Sequence, residues 1–379
     1  MKKIYILLII PFILLFAIPC SGTDVSNEIA GELNDELDNF QNTLPDYVKD
    51  FFQNEALSSD YSKLLGDSLN EKDFLSLTID YLTAGLSVTV KSFAEILLLL
   101  IITGIFNTLK SSAISNSTGF SFAVLSTLSI SLSVFKIIAS LAESSITYIT
   151  TLSNVMNSFT PIMIGISIMT GSTSSAIISS SSMLLFISFI ESFLVKFMVP
   201  LVTTCLCFGC ISSLTSSCDF SGISKTIKTT FSSVTVFTMS VFMFVFSYKS
   251  TLAKGVDTLS IKTARFAISS FVPLVGASVN DALKSVTASL SLVKSTSGTI
   301  GIIAIIVLML PIIIHLFLNK LSFSILSSVS KLLGAENTSG ILNEADGICS
   351  FLLTLVASTC VLFIFALTIF INTGVSIGE

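Results

Sequence analysis

The sequence has no tryptophan, one histidine and few charges, and each shortage excludes something. Only 11% of its 379 residues are Asp, Glu, Lys or Arg, where a soluble domain carries roughly 25%. That excludes an ordinary water-soluble globule. With no Trp, the usual aromatic belt at the membrane surface is weak. His315 is alone, so no histidine-rich metal site is available. It reads as a packed or interfacial residue. Cysteine is absent from the acidic stretch after residue 22, which excludes a disulfide scaffold there. Cys205, Cys207, Cys210 and Cys218 include a CxxC pair. They lie in the apolar run LVTTCLCFGCISSL and read as small packing residues. No GxxxxGK[ST], HExxH or GxSxG occurs, so no catalytic residue, cofactor or metal is expected. No nucleic-acid partner is expected either.

What is present is apolar length. Hydrophobic residues make up 52% of the chain, and mean hydropathy is +0.91. Residues 1–22 read as a signal peptide: Lys2 and Lys3, an apolar core from Ile4 to Ile18, then Cys20-Ser21-Gly22 for cleavage. Two rivals stand beside it, a lipoprotein signal acylated at Cys20, against which Pro19 argues, and a retained anchor. Residues 23–85 hold 14 acidic side chains and three lysines, a net −11 against −5 for the whole chain. Val25, Ile29, Leu33, Leu37 and Phe40 give this segment a thin stripe at helical spacing. It is expected to form short amphipathic helices outside the cytoplasm.

Residues 86–379 are expected to form a polytopic membrane domain. Apolar runs lie at 92–109, 120–142, 146–171, 175–214, 231–248, 266–279, 300–318 and 348–371, each near or above the ~20 residues that cross a bilayer. Continuous runs exclude the alternating pattern of a barrel. The fold class is therefore all-α, a polytopic helical bundle of seven or eight spans. An exported N-terminus with a single crossing over 175–214 puts the basic stretch Lys249, Lys254, Lys262 and Arg265 in the cytoplasm, as the positive-inside rule asks. A double crossing there would put it outside.

Pro161, Pro200, Pro273 and Pro311 lie in or beside the runs and are candidate helix breaks. SFTPI at 158–162 matches SFVPL at 270–274, and FMVPLV at 197–202 loosely matches LMLPII at 308–313. This spacing suggests an internal duplication, 120–229 against 230–345, of the kind that frames a transport site. Glu191 and Lys196 are candidate intramembrane polar positions. The plainer reading places them, with Glu95, at helix ends.

The stretch DTLSIKTARFAISSFVPLVGASVNDALKSV, followed by LVKSTSG, resembles the stage III sporulation protein AE family. The resemblance rests on Lys262-Thr263-Ala264, the Pro273-to-Gly276 turn, Asp281-Ala282, Lys294 and Gly298. Ser295 stands where the family pattern has Asn. The resemblance implies a membrane component of the mother-cell/forespore channel complex needed after engulfment. Its implied partners are the stage III proteins of the AA-to-AH set, including an ATPase, and forespore protein Q. The implied location is the mother-cell-derived outer forespore membrane, with the N-terminal segment outside the cytoplasm. A stand-alone secondary transporter, with a midplane site between inverted repeats, is the other class that remains open.

Overall fold

The computed structural model describes residues 40, 42–49, 71–113, 116–214, 220–271 and 276–372. The expected signal peptide and most of the acidic segment lie outside the described residues. Six long helical rods follow in order: α1 (Glu71–Ala113), α2 (Asn116–Met169), a rod made of α3 (Thr173–Phe189), a π-helical turn (Ile190–Val195) and α4 (Lys196–Leu214), then α5 (Ser221–Phe271), α6 (Gly276–Leu332) and α7 (Glu336–Asn372). All six contain stretches long and apolar enough to cross a membrane.

Among the described residues, six rods take the place of the seven or eight spans expected, because one apparent break does not break and one apparent span is not a helix of its own. Residues 143–145 (Glu-Ser-Ser) separate two apolar runs, yet α2 continues through them. Nothing there removes a backbone donor, and Ser145 Oγ donates back to the Leu141 carbonyl at 2.7 Å. The stretch 266–279 holds the end of α5 and the start of α6. At 1.5 Å per residue α2 is about 81 Å long and α6 about 86 Å, against a hydrocarbon layer of about 30 Å. The rods therefore project well beyond the bilayer.

Prolines bend the account of the helices less than expected. Pro161, Pro200 and Pro311 all lie inside continuous helices. Pro273 falls outside the described residues. Pro200 lacks the N–H that would reach the Lys196 carbonyl, and the π turn ends at Val195, just before that carbonyl. The π turn thus lies immediately N-terminal to the helical turn that holds the proline. Many hydroxyls bond back to the previous turn, as in Thr103 to Leu99 at 2.8 Å, Ser131 to Thr127 at 2.6 Å and Thr359 to Leu355 at 2.9 Å. This is how serine- and threonine-rich spans remain compatible with lipid.

Side-chain pairs set the direction of each rod. Phe186 meets Phe242 at 4.8 Å and Phe193 meets Phe231 at 5.2 Å between centroids, so α3–α4 and α5 are antiparallel. Ser327 bonds Asn343 at 2.7 Å across the α6–α7 hairpin. Lys228 pairs with Glu344 and Lys254 reaches the Asn372 carbonyl, so α5 and α7 run parallel. The rods alternate up and down. α7 is the hub and packs on α2, α4, α5 and, most extensively, α6. The turns after α2 and α6 end in Gly171 and Gly334, at φ +78° and +68°. In each the following N–H reaches five residues back, Ser172 to Ser167 and Ala335 to Ser330, which closes the helix end.

This alternation corrects one expectation. α1 begins, and α5 ends, at the same end of the bundle, which we call end B; end A holds the starts of α2, α5 and α7. An exported N-terminus and a cytoplasmic 249–265 stretch therefore exclude one another, because the uninterrupted α2 removes one crossing. The short segment at 40–49 is tied to the bundle towards end B. Phe40 packs on Phe159 at 5.1 Å, Thr43 bonds Ser158, and the half-buried Tyr47 hydroxyl donates to the Leu308 carbonyl at 3.1 Å.

Among the described glycines the tightest surroundings are at Gly298, where an added Cβ would overlap Ile371 of α7. At Gly301 it would lie 2.9 Å from the Phe159 ring. Small residues here let α6 and α7 touch backbone to side chain. Gly298→Val is expected to destabilise the bundle by about 2–3 kcal/mol, seen as a lower melting temperature in detergent. Gly255→Ala, with open space around it, serves as the neutral control.

Candidate functional site

Charge inside the bundle gathers on the inward face of α5, at two levels. Near end A, Lys228 pairs with Glu344 of α7 at 2.5 Å. Ser224, one turn earlier on α5, donates to the same carboxylate oxygen. Glu344 is 7% exposed. A buried carboxylate needs such compensation, since desolvation costs several kcal/mol per ion. Two glycines make room for the pair. A Cβ at Gly209 of α4 would lie 2.7 Å from Glu344 Cγ, and one at Gly347 of α7 would lie 2.8 Å from Lys228 Nζ.

This pair forms part of the wall of a cavity of about 720 Å³ that opens at end A between α4, α5 and α7. Its α7 wall runs from Glu336 to Thr354, about 27 Å at helical rise. Lys225 and Glu336 are exposed residues in its lining. Serine, threonine, asparagine and glycine form most of the remaining wall, with Phe351 at its inner part. A polar recess with one charge pair in its wall suits a small hydrophilic solute or a polar segment of a partner.

The second level lies towards end B. Asp257 is 4% exposed and accepts the N–H groups of Ser174 and Ser175 at 2.9 Å each. It thereby caps the N-terminus of α3 from a different helix, where the helix dipole favours an anion. Lys294 of α6 is 2% exposed, lies within electrostatic reach of Asp257, and sits 5.2 Å over the Phe370 ring. Four residues on, Gly298 brings α7 close enough for Phe370 to cover that lysine.

The positions singled out in the sequence fall differently. Glu191 is half-buried in the π turn and Lys196 is exposed at the start of α4. No ion pair joins them among the described residues. Pro161 and Pro200 are exposed, and Pro311 and His315 are half-buried. Glu95 and Lys136 are exposed. Of the family-like motif, Lys262 and Thr263 are exposed near the end of α5, while Lys294 and Gly298 are buried at the α6–α7 contact. Ala264, Gly276 and Asp281 lie in helices. Cys205, Cys349 and Cys360 are buried free thiols. No metal-binding cluster occurs among the described residues.

Lys228, Glu344 and Asp257 went unnoticed in the sequence. Lys228 and Glu344 each lie about one turn before an apolar run, the position of an ordinary flanking charge. Their separation of 116 residues hides the pairing. Asp257 is the one acid among four bases at 249–265, which was the available signal.

A family model described as stage III sporulation protein AE matches residues 60–374. No curated protein and no solved structure matches.

Removing one partner of the end-A pair leaves a buried charge. Glu344→Ala is expected to cost about 3 kcal/mol, and the double variant Lys228→Met/Glu344→Leu clearly less. Thermal melts of the unaltered chain and the two variants in detergent measure this. Equal losses in the single and double variants would show that the pair does not matter.

Proposed function

The chain belongs to the stage III sporulation protein AE family, a multi-pass membrane protein with a role in stage III of sporulation, and we propose that it acts as a permease-like or structural component of the mother-cell/forespore channel complex. The family match, which covers nearly the whole membrane body, carries this reading. The end-A cavity supports the permease-like form of it, because a purely structural bundle has no need of a polar recess about 27 Å long. The role is non-enzymatic. Other stage III proteins of the AA-to-AH set, including an ATPase, would be its partners, with forespore protein Q across the gap.

In this reading the protein resides in the mother-cell-derived outer forespore membrane. Cleavage after Gly22 leaves the acidic segment outside the cytoplasm. End B then faces the intermembrane space and end A, with its cavity, faces the mother-cell cytoplasm. The two-repeat division at 120–229 and 230–345 belongs to this proposal as well.

Deletion of the gene is expected to stop spore development after engulfment, with rescue by the intact chain. Normal spore yield in the deletion strain would overturn the role. The purified protein in lipid vesicles is expected to move no hydrophilic solute unaided. Unaided flux that is lost in Glu191→Gln would instead support the stand-alone transporter.

A further inference from the structure

The inward side of α5 changes chemistry along its length. Lys228, Thr235, Phe242, Ser250 and Asp257 follow one another at seven, seven, eight and seven residues, about two turns each, so they share one side of the helix. That side is turned into the bundle: Thr235 is 0% exposed, Ser250 1% and Phe242 9%. Lys228 stands in the wall of the end-A cavity, and Asp257 marks the end-B level. The two hydroxyls between them behave unlike others on the same helix. The outward Ser240 and Thr251 donate to the carbonyls one turn back, at 2.8 and 2.9 Å. Thr235 and Ser250 do not, and neither has a hydrogen-bond partner among the described residues. The same holds for Ser179 of α3. The Ser175–Asp257 and Phe186–Phe242 contacts set Ser179 at about the level of Ser250. Burying a hydroxyl without a partner is costly, and a bond to the preceding turn is the usual remedy.

Aromatic rings fill this seam at two levels, and the α3–α4 rod, α5 and α7 each give one phenylalanine to each level. Nearer end A, Phe231 meets Phe193 at 5.2 Å and Phe351 at 5.8 Å between centroids. Phe351 is also in the cavity wall. Phe193 belongs to the π turn, a helix defect frequent at functional sites. Deeper in, Phe186 meets Phe242 at 4.8 Å and Phe363 at 5.1 Å. Thr235 lies between the two tiers. Past the second tier, α2, α3, α5 and α7 enclose a void of about 10 Å³ walled by Ser179, Thr160 and apolar side chains, about enough for one water. We propose that this seam is the route by which a small hydrophilic solute passes from the end-A cavity towards Asp257, and that the two phenylalanine tiers are its gate, here closed. The unpaired hydroxyls take over from water as partners of the passing solute. A seam built for packing alone would carry apolar or back-bonded side chains at those positions. The proposal rests on the permease-like reading of the cavity and adds to it the route and the rings that close it.

The test is thiol labelling of the purified full-length protein in lipid nanodiscs, where both ends meet solvent. Thr235→Cys and Ser250→Cys are treated with a small cationic methanethiosulfonate, and the adduct at each position is measured by mass spectrometry, apart from the native cysteines. With all rings in place neither is expected to react while Ser233→Cys, exposed in the cavity wall, reacts fully. Phe231→Ala is expected to speed reaction at Thr235→Cys roughly tenfold, since thiol reactivity follows access, and to leave Ser250→Cys unreactive. Phe242→Ala alone is expected to expose neither, and the two changes together to expose both. Phe231→Leu and Phe242→Leu, which keep more of the packing, are expected to give the same order with a smaller gain and serve if the alanine chains do not fold. Phe323→Ala, which removes a buried ring on α6, is expected to expose neither cysteine. Reaction of both cysteines with all rings in place, silence of Ser250→Cys with both rings removed, or an equal gain in Phe323→Ala would overturn the proposal. Spore yield tests the sporulation role and this labelling tests the route, so either can fail without the other.

Discussion

Lipid offers the backbone no hydrogen-bond partner, and the architecture follows from that constraint. Every segment that enters the bilayer must satisfy its own amides, so the apolar runs are helices. The same rule explains how a chain so rich in serine and threonine crosses at all. Hydroxyls such as those of Ser131, Ser145 and Thr359 spend their donors on the preceding turn. The remaining polar groups must find each other. Lys228 finds Glu344, and Asp257 finds the open N–H groups of α3. Each contact joins two helices far apart in sequence, so the charges locate the rods relative to one another.

α7 sits where those demands converge. It supplies Glu344 to the end-A pair, Phe370 to the cover over Lys294, and Ile371 to the contact at Gly298. Its apolar residues pack on four of the other rods. The cavity opens beside it at end A, while Lys294 and Asp257 are buried towards end B.

Much of this was legible in the sequence. Apolar run length identifies the rods, because a bilayer imposes one length scale. The count was not legible at Glu143-Ser144-Ser145, because a polar triplet reads as a loop while the helix needs only intact backbone donors to continue. Pro161, Pro200 and Pro311 read as breaks for the related reason that a helix tolerates one missing bond when its neighbours, or a π turn, absorb it. The candidate site was less legible. Glu191 and Lys196 stood out by lying inside an apolar run, yet Lys196 is turned outwards. The buried pair forms between residues that look like flanking charges until the helices are brought together. Lys294 and Gly298 were visible as a motif. Their reason, a covered lysine beside a close helix crossing, needed the packing of α7.

The central claim is an alternating six-rod bundle in which the segment at 40–49 and the end of α5 share one end. Membrane-impermeant maleimide labelling of Asp46→Cys, Lys262→Cys and Lys331→Cys, each compared with the unaltered chain in intact cells and in inverted vesicles, tests it most directly. All three side chains lie outside the core: Asp46 beside the end-B segment, Lys262 near the end of α5, and Lys331 at the end of α6. The account expects Asp46→Cys and Lys262→Cys to react from the same side of the membrane and Lys331→Cys from the other. Labelling of Lys262→Cys and Lys331→Cys from one side, or of Asp46→Cys and Lys262→Cys from opposite sides, would contradict it.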